Sequence, residues 1–506
     1  MTIYIATLGD LTNWYPVDYM IDDKKQVEKV YSTVFTYENA SKIILVINDS
    51  TIYAKSLKSE PAVTCYEDKV PPPPYNSYSQ IKSIVEEYVK CVMSNLENEA
   101  KKYNQIESVL PKLKIISLPT IGTFSREKNK NDKEKNNIAT KFGVIVNKDG
   151  TTDSLSSYYS NLTETLLICS LYNELKDANE DVVLDITHGF NYLPTLTFYA
   201  IYRLISLLGL RLTVINFIPI GKRKDKKNYE TKNRLISLLW LILTKRKDKK
   251  NYETKIYSRV DIVPITNKEL KFDIDQIHEE NIRNDLNRGI IRALKYNAPL
   301  ALVDFCQLKK DTLDNHCSHN NNYYSQFIDA VSIFPISEQE YEIKIDKEKI
   351  KWIENNDEIW SDVIADYVCE KVNELVTEFR CNGRYYNIEI LVKLAENIFS
   401  RFSSISENII KNDYTKITQK YSEIKETNEK KDEELQKSDT RTTNSLDIER
   451  IKRNYIAHAG LLWDIREIKK TNEGKICIKY NYSFKEIFIA IYGEETVKLL
   501  LNKVNI

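Results

Sequence analysis

The chain has 506 residues, too many for one core, so two to four domains are expected; hydrophobic residues make up 42% and charged ones 29%, an ordinary balance for a globular protein in water. The 73 basic and 73 acidic side chains cancel, which excludes nucleic-acid recognition by an overall field and leaves it to local patches. No apolar run is long enough to span a bilayer, and Met1 to Ala6 leads straight into a predicted core strand, so neither a membrane partner nor a signal peptide is expected and the predicted compartment is the cytoplasm.

The 8 cysteines are scattered singly without a CxxC pair, a pattern that argues against a disulfide framework or a zinc ribbon and fits a reducing compartment. His316-Cys317-Ser318-His319 gathers two imidazoles and a thiol, but no further ligands stand at suitable spacing, so it reads as a polar loop. Neither a metal nor a cofactor is expected.

In the first half, strand and helix signals alternate as a parallel α/β sheet requires. Thr2 to Thr7 is apolar and β-rich and ends at the turn Leu8-Gly9-Asp10; Ser41 to Ile47 is a second strand, closing on Asn48-Asp49-Ser50. Pro71 to Pro74 can only be extended loop, and Ile81 to about Tyr103 has helical spacing, with Ile84, Val85, Tyr88 and Val92 on one side. A strand at Leu113 to Leu118 leads into Pro119-Thr120-Ile121-Gly122-Thr123, and the charged run Ser125 to Asn137 reads as an exposed loop. Phe142 to Val146 reads as a short strand and Ser154 to Leu175 as a helix. The compact strand Val182 to Ile186 is followed at once by Thr187-His188-Gly189-Phe190-Asn191 and an apolar helix to about Leu208. Strand, polar turn, helix is the arrangement that puts ligands at the carboxyl ends of parallel strands, beside a helix N-terminus that suits phosphate.

An internal duplication comes next. Lys222 to Lys232 recurs unchanged at Lys245 to Lys255, and Arg203 to Leu208 recurs at Arg234 to Leu239. Removing residues 233–255 on paper leaves two strands, Leu212 to Ile220 and Ile256 to Ile265, so the duplicated piece is expected at the tip of a β-hairpin, where insertions are tolerated.

Beyond Phe272 helical signals take over. Asn281 to Phe305 is amphipathic, and Glu358 to Phe379 and Tyr386 to Ile405 read as long helices. Asn412 to Thr443 is dense in Lys, Glu, Asn and Thr and reads as a solvated arm or insertion; Ser445 to His458 resumes the helical pattern with Ser445 as N-cap. The expected organisation is a Rossmann-like α/β domain over residues 1–272, a helical linker over 273–350 and an all-α domain over 351–506 with a charged insertion at about 412–443.

That last domain carries Arg453-Asn454-Tyr455-Ile456-Ala457-His458-Ala459-Gly460. Arg and His suit metal-free phosphodiester cleavage, because a guanidinium holds phosphate with a permanently charged fork and an imidazole exchanges protons near neutral pH. Five residues of α-helix turn through about 500°, which leaves Arg453 and His458 roughly 140° apart. Either the helix ends between them, as Ala459-Gly460 would allow, or two copies of the motif meet across a dimer, which is the favoured arrangement. His458 then acts as general base or acid, Arg453 stabilises the phosphorane-like transition state and Asn454 orients either one.

Two stretches together bring a family into view. Arg453 to His458 resembles the R-x4-H motif of HEPN ribonucleases, and Asp185-Ile186-Thr187-His188-Gly189-Phe190-Asn191 resembles the ligand loop of the CRISPR-associated Rossmann fold, or CARF domain. An N-terminal CARF followed by a C-terminal HEPN is similar to the ancillary ribonucleases of type III CRISPR systems. The resemblance implies a cyclic oligoadenylate as activator, usually the tetra-adenylate ring, and a metal-independent HEPN dimer that cuts single-stranded RNA. It also implies a homodimer or higher homo-oligomer, since two-fold loops suit a ring of four repeating nucleotides. Carried over by position, the ligand-binding residues are Thr7, Leu8, Gly9 and Asp10 in the first loop and Thr187, His188, Gly189 and Asn191 in the second, with Thr120 to Thr123 as a further wall. Asn13 and Trp14 are candidates to contact adenine. The alternative is a sensor whose helical half binds a partner or DNA without catalysis; slow cleavage of the activator, with His188 as the suspect, is compatible with either.

Overall fold

The computed structural model describes the chain except residues 1, 10, 12–15, 22–24, 53–59, 72–74, 120–122, 125–139, 147–151, 155–158, 189–191, 221–255, 266–269, 312–321, 338–339, 351, 353–355, 423–447, 462–465, 472, 483–484 and 505–506. Asp10, Asn13, Trp14, Thr120 to Gly122, Gly189, Asn191, the 233–255 duplication and the His316 to His319 cluster therefore lie outside the described residues.

Five parallel strands form the centre of the N-terminal sheet: β1 (Thr2–Thr7), β4 (Ala40–Asn48), β5 (Leu113–Leu118), β9 (Asp181–Asp185) and β10 (Leu212–Ile220). Their apolar runs are buried almost throughout, Ile3 to Thr7 in β1 and Val182 to Asp185 in β9, as parallel strands covered by helices require. The helices are α1 (Glu60–Lys69), α2 (Tyr78–Lys101), α3 (Tyr159–Leu175) and α4 (Tyr192–Leu208). A short hairpin, β2 (Val17–Met20) with β3 (Gln26–Val30), extends the sheet beyond β11 (Ile256–Ile265), giving the order β3-β2-β11-β10-β9-β1-β4-β5. The chain builds outward from β1 through β4 to β5, then crosses to β9 and β10 on the other side. The direction of winding thus reverses between β1 and β9, the place where open α/β sheets hold ligands in a crevice at the strands' carboxyl ends. β10 and β11 pair antiparallel from Leu212↔Ile265 to Ile220↔Ile256, so the duplicated stretch joins two hydrogen-bonded strand ends.

Several expectations are corrected. The strand read at Phe142 to Val146 exists as β7 (Thr140–Val146), but it belongs to a separate sheet, where β6 (Thr123–Phe124) and β8 (Thr152–Ser154) pair with it antiparallel. In that sheet it also pairs in parallel with β13 (Glu340–Asp346), which pairs with β12 (Val331–Ser337); the 273–350 segment is consequently not a purely helical linker. The helix read over Asn281 to Phe305 is two, Asp285–Lys295 and Pro299–Asp311. Asn297 takes φ +56 between them, and Pro299 has no amide hydrogen to continue the first helix.

Residues 351–506 are not all-α. β14 (Arg380–Asn382), β15 (Tyr385–Asn387), β16 (Arg466–Lys470) and β17 (Ile476–Tyr480) form an antiparallel sheet in the order β14-β15-β17-β16. The helix read at Tyr386 to Ile405 starts later, at Ile390, passes through a π-helical turn at Ala395–Phe399 and stops at Ser403, whose φ −156 and ψ 134 are extended. A new helix, Ser404–Ser422, runs into the stretch expected as an insertion, so residues 412–422 are helical, and the remainder of that stretch lies outside the described residues.

The cysteines also differ from expectation. Cys65–Cys91, Cys306–Cys369 and Cys381–Cys477 are disulfides, joining residues 26, 63 and 96 positions apart. Scattered spacing conceals such pairs because the fold, not the local sequence, brings them together.

The helices covering the N-terminal sheet are in direct contact with the C-terminal helices. Tyr172 of α3 donates to Asp366 at 2.9 Å, and Asn356 donates to Glu164 at 2.6 Å. At the end of α4, Gly209 takes φ +71, and a Cβ there would fall inside the guanidinium of Arg401. Arg401 also accepts through its carbonyl from the Phe272 amide at 2.8 Å.

Candidate functional site

The crevice at the winding reversal is built from the ends of β1, β4 and β9. Thr7 is buried, and its hydroxyl donates to the carbonyl of His188, tying the first loop to the second. Leu8 is in the core, and its amide donates to the Val46 carbonyl at 2.9 Å, so its side chain is not available to a ligand. Half-buried Gly9 is the part of the described first loop left at the crevice.

The second loop is pinned by Asp185. Its buried carboxylate accepts from the Tyr4 hydroxyl and, at 2.8 Å, from the Thr187 amide, an Asx-type turn that starts the loop where the strand stops. The Thr187 hydroxyl accepts from the Phe217 amide of β10 at 3.0 Å. His188 Nε2 lies 3.5 Å from the Tyr19 hydroxyl. Burial holds its pKa below the usual histidine value, against the opposing pull of Asp185, so the ring is neutral near pH 7. Beyond the loop, α4 begins at Tyr192, whose hydroxyl accepts from Asn48 Nδ2 at 2.6 Å. Sequence reading missed Tyr4, Tyr19, Asn48 and Tyr192 as polar partners around these loops. Asn48, a polar residue closing an apolar strand, was the one with a usable signal.

The second candidate lies on the helix Ile448–Ala457. Arg453, Asn454 and His458 are exposed, while Tyr455 between them is fully buried. The Tyr455 hydroxyl lies 3.0 Å from that of Tyr480 and 2.9 Å from that of Tyr492, which anchors the helix end in the core. The helix proper stops at Ala457, between Arg453 and His458, although the His458 amide still donates to the Asn454 carbonyl at 3.0 Å. The chain then turns away: Ala459 (φ +49) and Gly460 (φ +65) are left-handed, and the Gly460 amide bonds back to the Tyr455 carbonyl at 2.7 Å. A Cβ on Gly460 would stand 2.6 Å from the Tyr480 hydroxyl and 2.9 Å from the Ala298 side chain, so this glycine is required by both backbone and space. The arrangement displays a guanidinium, an amide and an imidazole to solvent from a rigid mount.

Residues 3–219 match the family described as CRISPR system endoribonuclease Csx1, CARF domain. The chain is 26% identical over 489 residues to the CRISPR system endoribonuclease Csx1 of Methanocaldococcus jannaschii, covering 94% of this chain and 88% of that relative. Residues 3–219 are thus similar to a CARF domain of the Csx1 type, and the resemblance to CRISPR-associated CARF ribonucleases extends along nearly the whole chain.

Proposed function

We propose that this chain is a CRISPR-associated endoribonuclease that cuts single-stranded RNA without a metal ion and is switched on by a cyclic oligoadenylate, the tetra-adenylate ring being the best candidate. The observation that carries the catalytic half is the exposed Arg453, Asn454 and His458 on a helix end fixed by buried Tyr455. Support for the switch is the crevice where the winding reverses, with its Thr7–His188 tie, its Asp185-pinned turn and the start of α4 beside them.

Although the helix stops at Ala457, the His458 amide still bonds one turn back, so Arg453 and His458 leave the helix end at different angles and one copy is poorly suited to set both against one phosphate from one side. In this reading two copies pair. His458 takes the proton of a ribose 2′-hydroxyl, the 2′-oxygen attacks the adjacent phosphorus, and the bond to the 5′-oxygen breaks. The leaving oxygen is protonated by an imidazolium, and the products are a cyclic phosphate and a 5′-hydroxyl end. Arg453 compensates the negative charge that builds on the phosphoryl oxygens, and Asn454 orients its neighbours.

The test is cleavage of a single-stranded RNA with and without each cyclic oligoadenylate. Cleavage is expected only with activator, to persist in EDTA, and to fall by about 100-fold or more in His458→Ala and Arg453→Ala. Loss of activity in EDTA would contradict the mechanism. Activator binding with no RNA turnover would instead favour a non-catalytic sensor.

A further inference from the structure

The helix Ser404–Ser422 buries a stripe of Ser406, Ile410, Asp413 and Ile417, one residue per turn. A carboxylate is out of place there. Asp413 is 6% exposed, and an ionised group at a core-facing position is unfavourable unless its charge is used. Lys416 Nζ stands 3.5 Å from Asp413 Oδ1, but that ammonium is largely in water and such pairs contribute little. The other oxygen, Oδ2, is buried, has no hydrogen-bond partner among the described residues and lies 3.7 Å from His458 Nδ1. The remaining charged and titratable neighbours come from other positions. Arg466 of β16 is attracted to Asp413 and to Tyr421 and donates to the Leu461 carbonyl at 2.6 Å, just past the turn that carries His458.

Building on the ribonuclease reading above, we propose that Asp413 is the positioning residue for His458. Its carboxylate faces Nδ1, holds the proton on that nitrogen and sets the ring plane, which leaves Nε2 as the nitrogen that exchanges protons with RNA. A gap of 3.7 Å is beyond hydrogen-bond reach, and a small rotation of either side chain closes it, as happens when catalytic contacts tighten around a substrate. The stripe also explains why a helix otherwise packed with isoleucine carries an acid at this turn.

The experiment uses the full chain and the near-isosteric Asp413→Asn. With 5 histidines in the chain, ¹⁵N-histidine spectra resolve His458 by its disappearance in His458→Ala. Wild type should hold His458 with the proton on Nδ1, and Asp413→Asn should lose that preference. In RNA cleavage, Asp413→Asn should lower kcat by about 10-fold or more with KM little changed. Asp413→Glu should recover part of it, and adding Asp413→Asn to His458→Ala should cost nothing further. An unchanged His458 tautomer in Asp413→Asn, or a changed one with kcat intact, overturns the proposal. The spectra need no RNA, so an inactive wild type would sink the ribonuclease reading separately from a failure at Asp413.

Discussion

The guanidinium of Arg203 lies 4.1 Å from the ring centre of Trp360 and 4.9 Å from that of Phe272. Arg203 belongs to α4 and Trp360 to the helix Asn356–Phe379, so a largely buried cation joins the N-terminal α/β domain to the C-terminal helices. Burial holds its pKa below the usual arginine value, with Tyr199 and Glu164 opposing that shift. Arg203→Met, which keeps the apolar stem, is expected to destabilise the protein by about 1–2 kcal/mol in urea unfolding, and Arg203→Lys by less.

Tyr455→Phe removes the hydroxyl shared by Tyr480 and Tyr492 and leaves two buried hydroxyls to find other partners. It should cost about 1–3 kcal/mol, read as a lowered urea midpoint. Gly460→Ala meets both a left-handed backbone and the Tyr480 hydroxyl, so it should cost more than the roughly 1 kcal/mol of the backbone effect alone. RNA cleavage should fall in both, since both loosen the mount of His458.

His188 gives stability a defined pH dependence. Its folded pKa lies below the unfolded value of 6.5, so the unfolded chain binds the extra proton first. The contribution is complete above about pH 6.5 and is lost as pH falls through the folded value. Thermal midpoints of wild type and His188→Asn, compared from pH 8 to pH 5, should show the smaller acid-side decline in the variant. An equal decline would remove His188 as the cause.

The disulfides predict a redox effect on stability. Cys306–Cys369 and Cys381–Cys477 close long loops, and each is worth about 3–5 kcal/mol by the chain-entropy argument. Thiol titration of the unreduced protein should find at most two of the 8 cysteines free, and prolonged reductant should lower the thermal midpoint. Cys381→Ser should reproduce part of that drop.

Most of the parallel sheet was legible because its strands are short, continuous apolar runs closed by polar turns, as at Val182 to Ile186 and Ser41 to Ile47. The hairpin around the duplication was legible from the repeat itself. The C-terminal sheet was not: Arg466–Lys470 offers a single Ile among charges and becomes a strand only by pairing with Ile476–Tyr480. The break at Ser403 was hidden within uninterrupted helical periodicity, whereas the one at Asn297 had a signal in Pro299 that the periodicity outweighed. Arg453, Asn454 and His458 were visible as a motif, whereas Asp413 sits in a stretch whose composition suggested solvent, and only the neighbouring Ile410 and Ile417 mark its face as buried.

The extended residue Ser403 separates Arg401, held by the N-terminal domain through Gly209 and Phe272, from the helix that carries Asp413. A helix mounted in this way would act as a lever with its fulcrum beside the N-terminal domain. From Ser404 to Asp413 it spans about 14 Å, so a tilt of about 5° at Ser403 sweeps the carboxylate through roughly 1 Å. A displacement of that size is what separates the present 3.7 Å between Asp413 and His458 from a hydrogen bond.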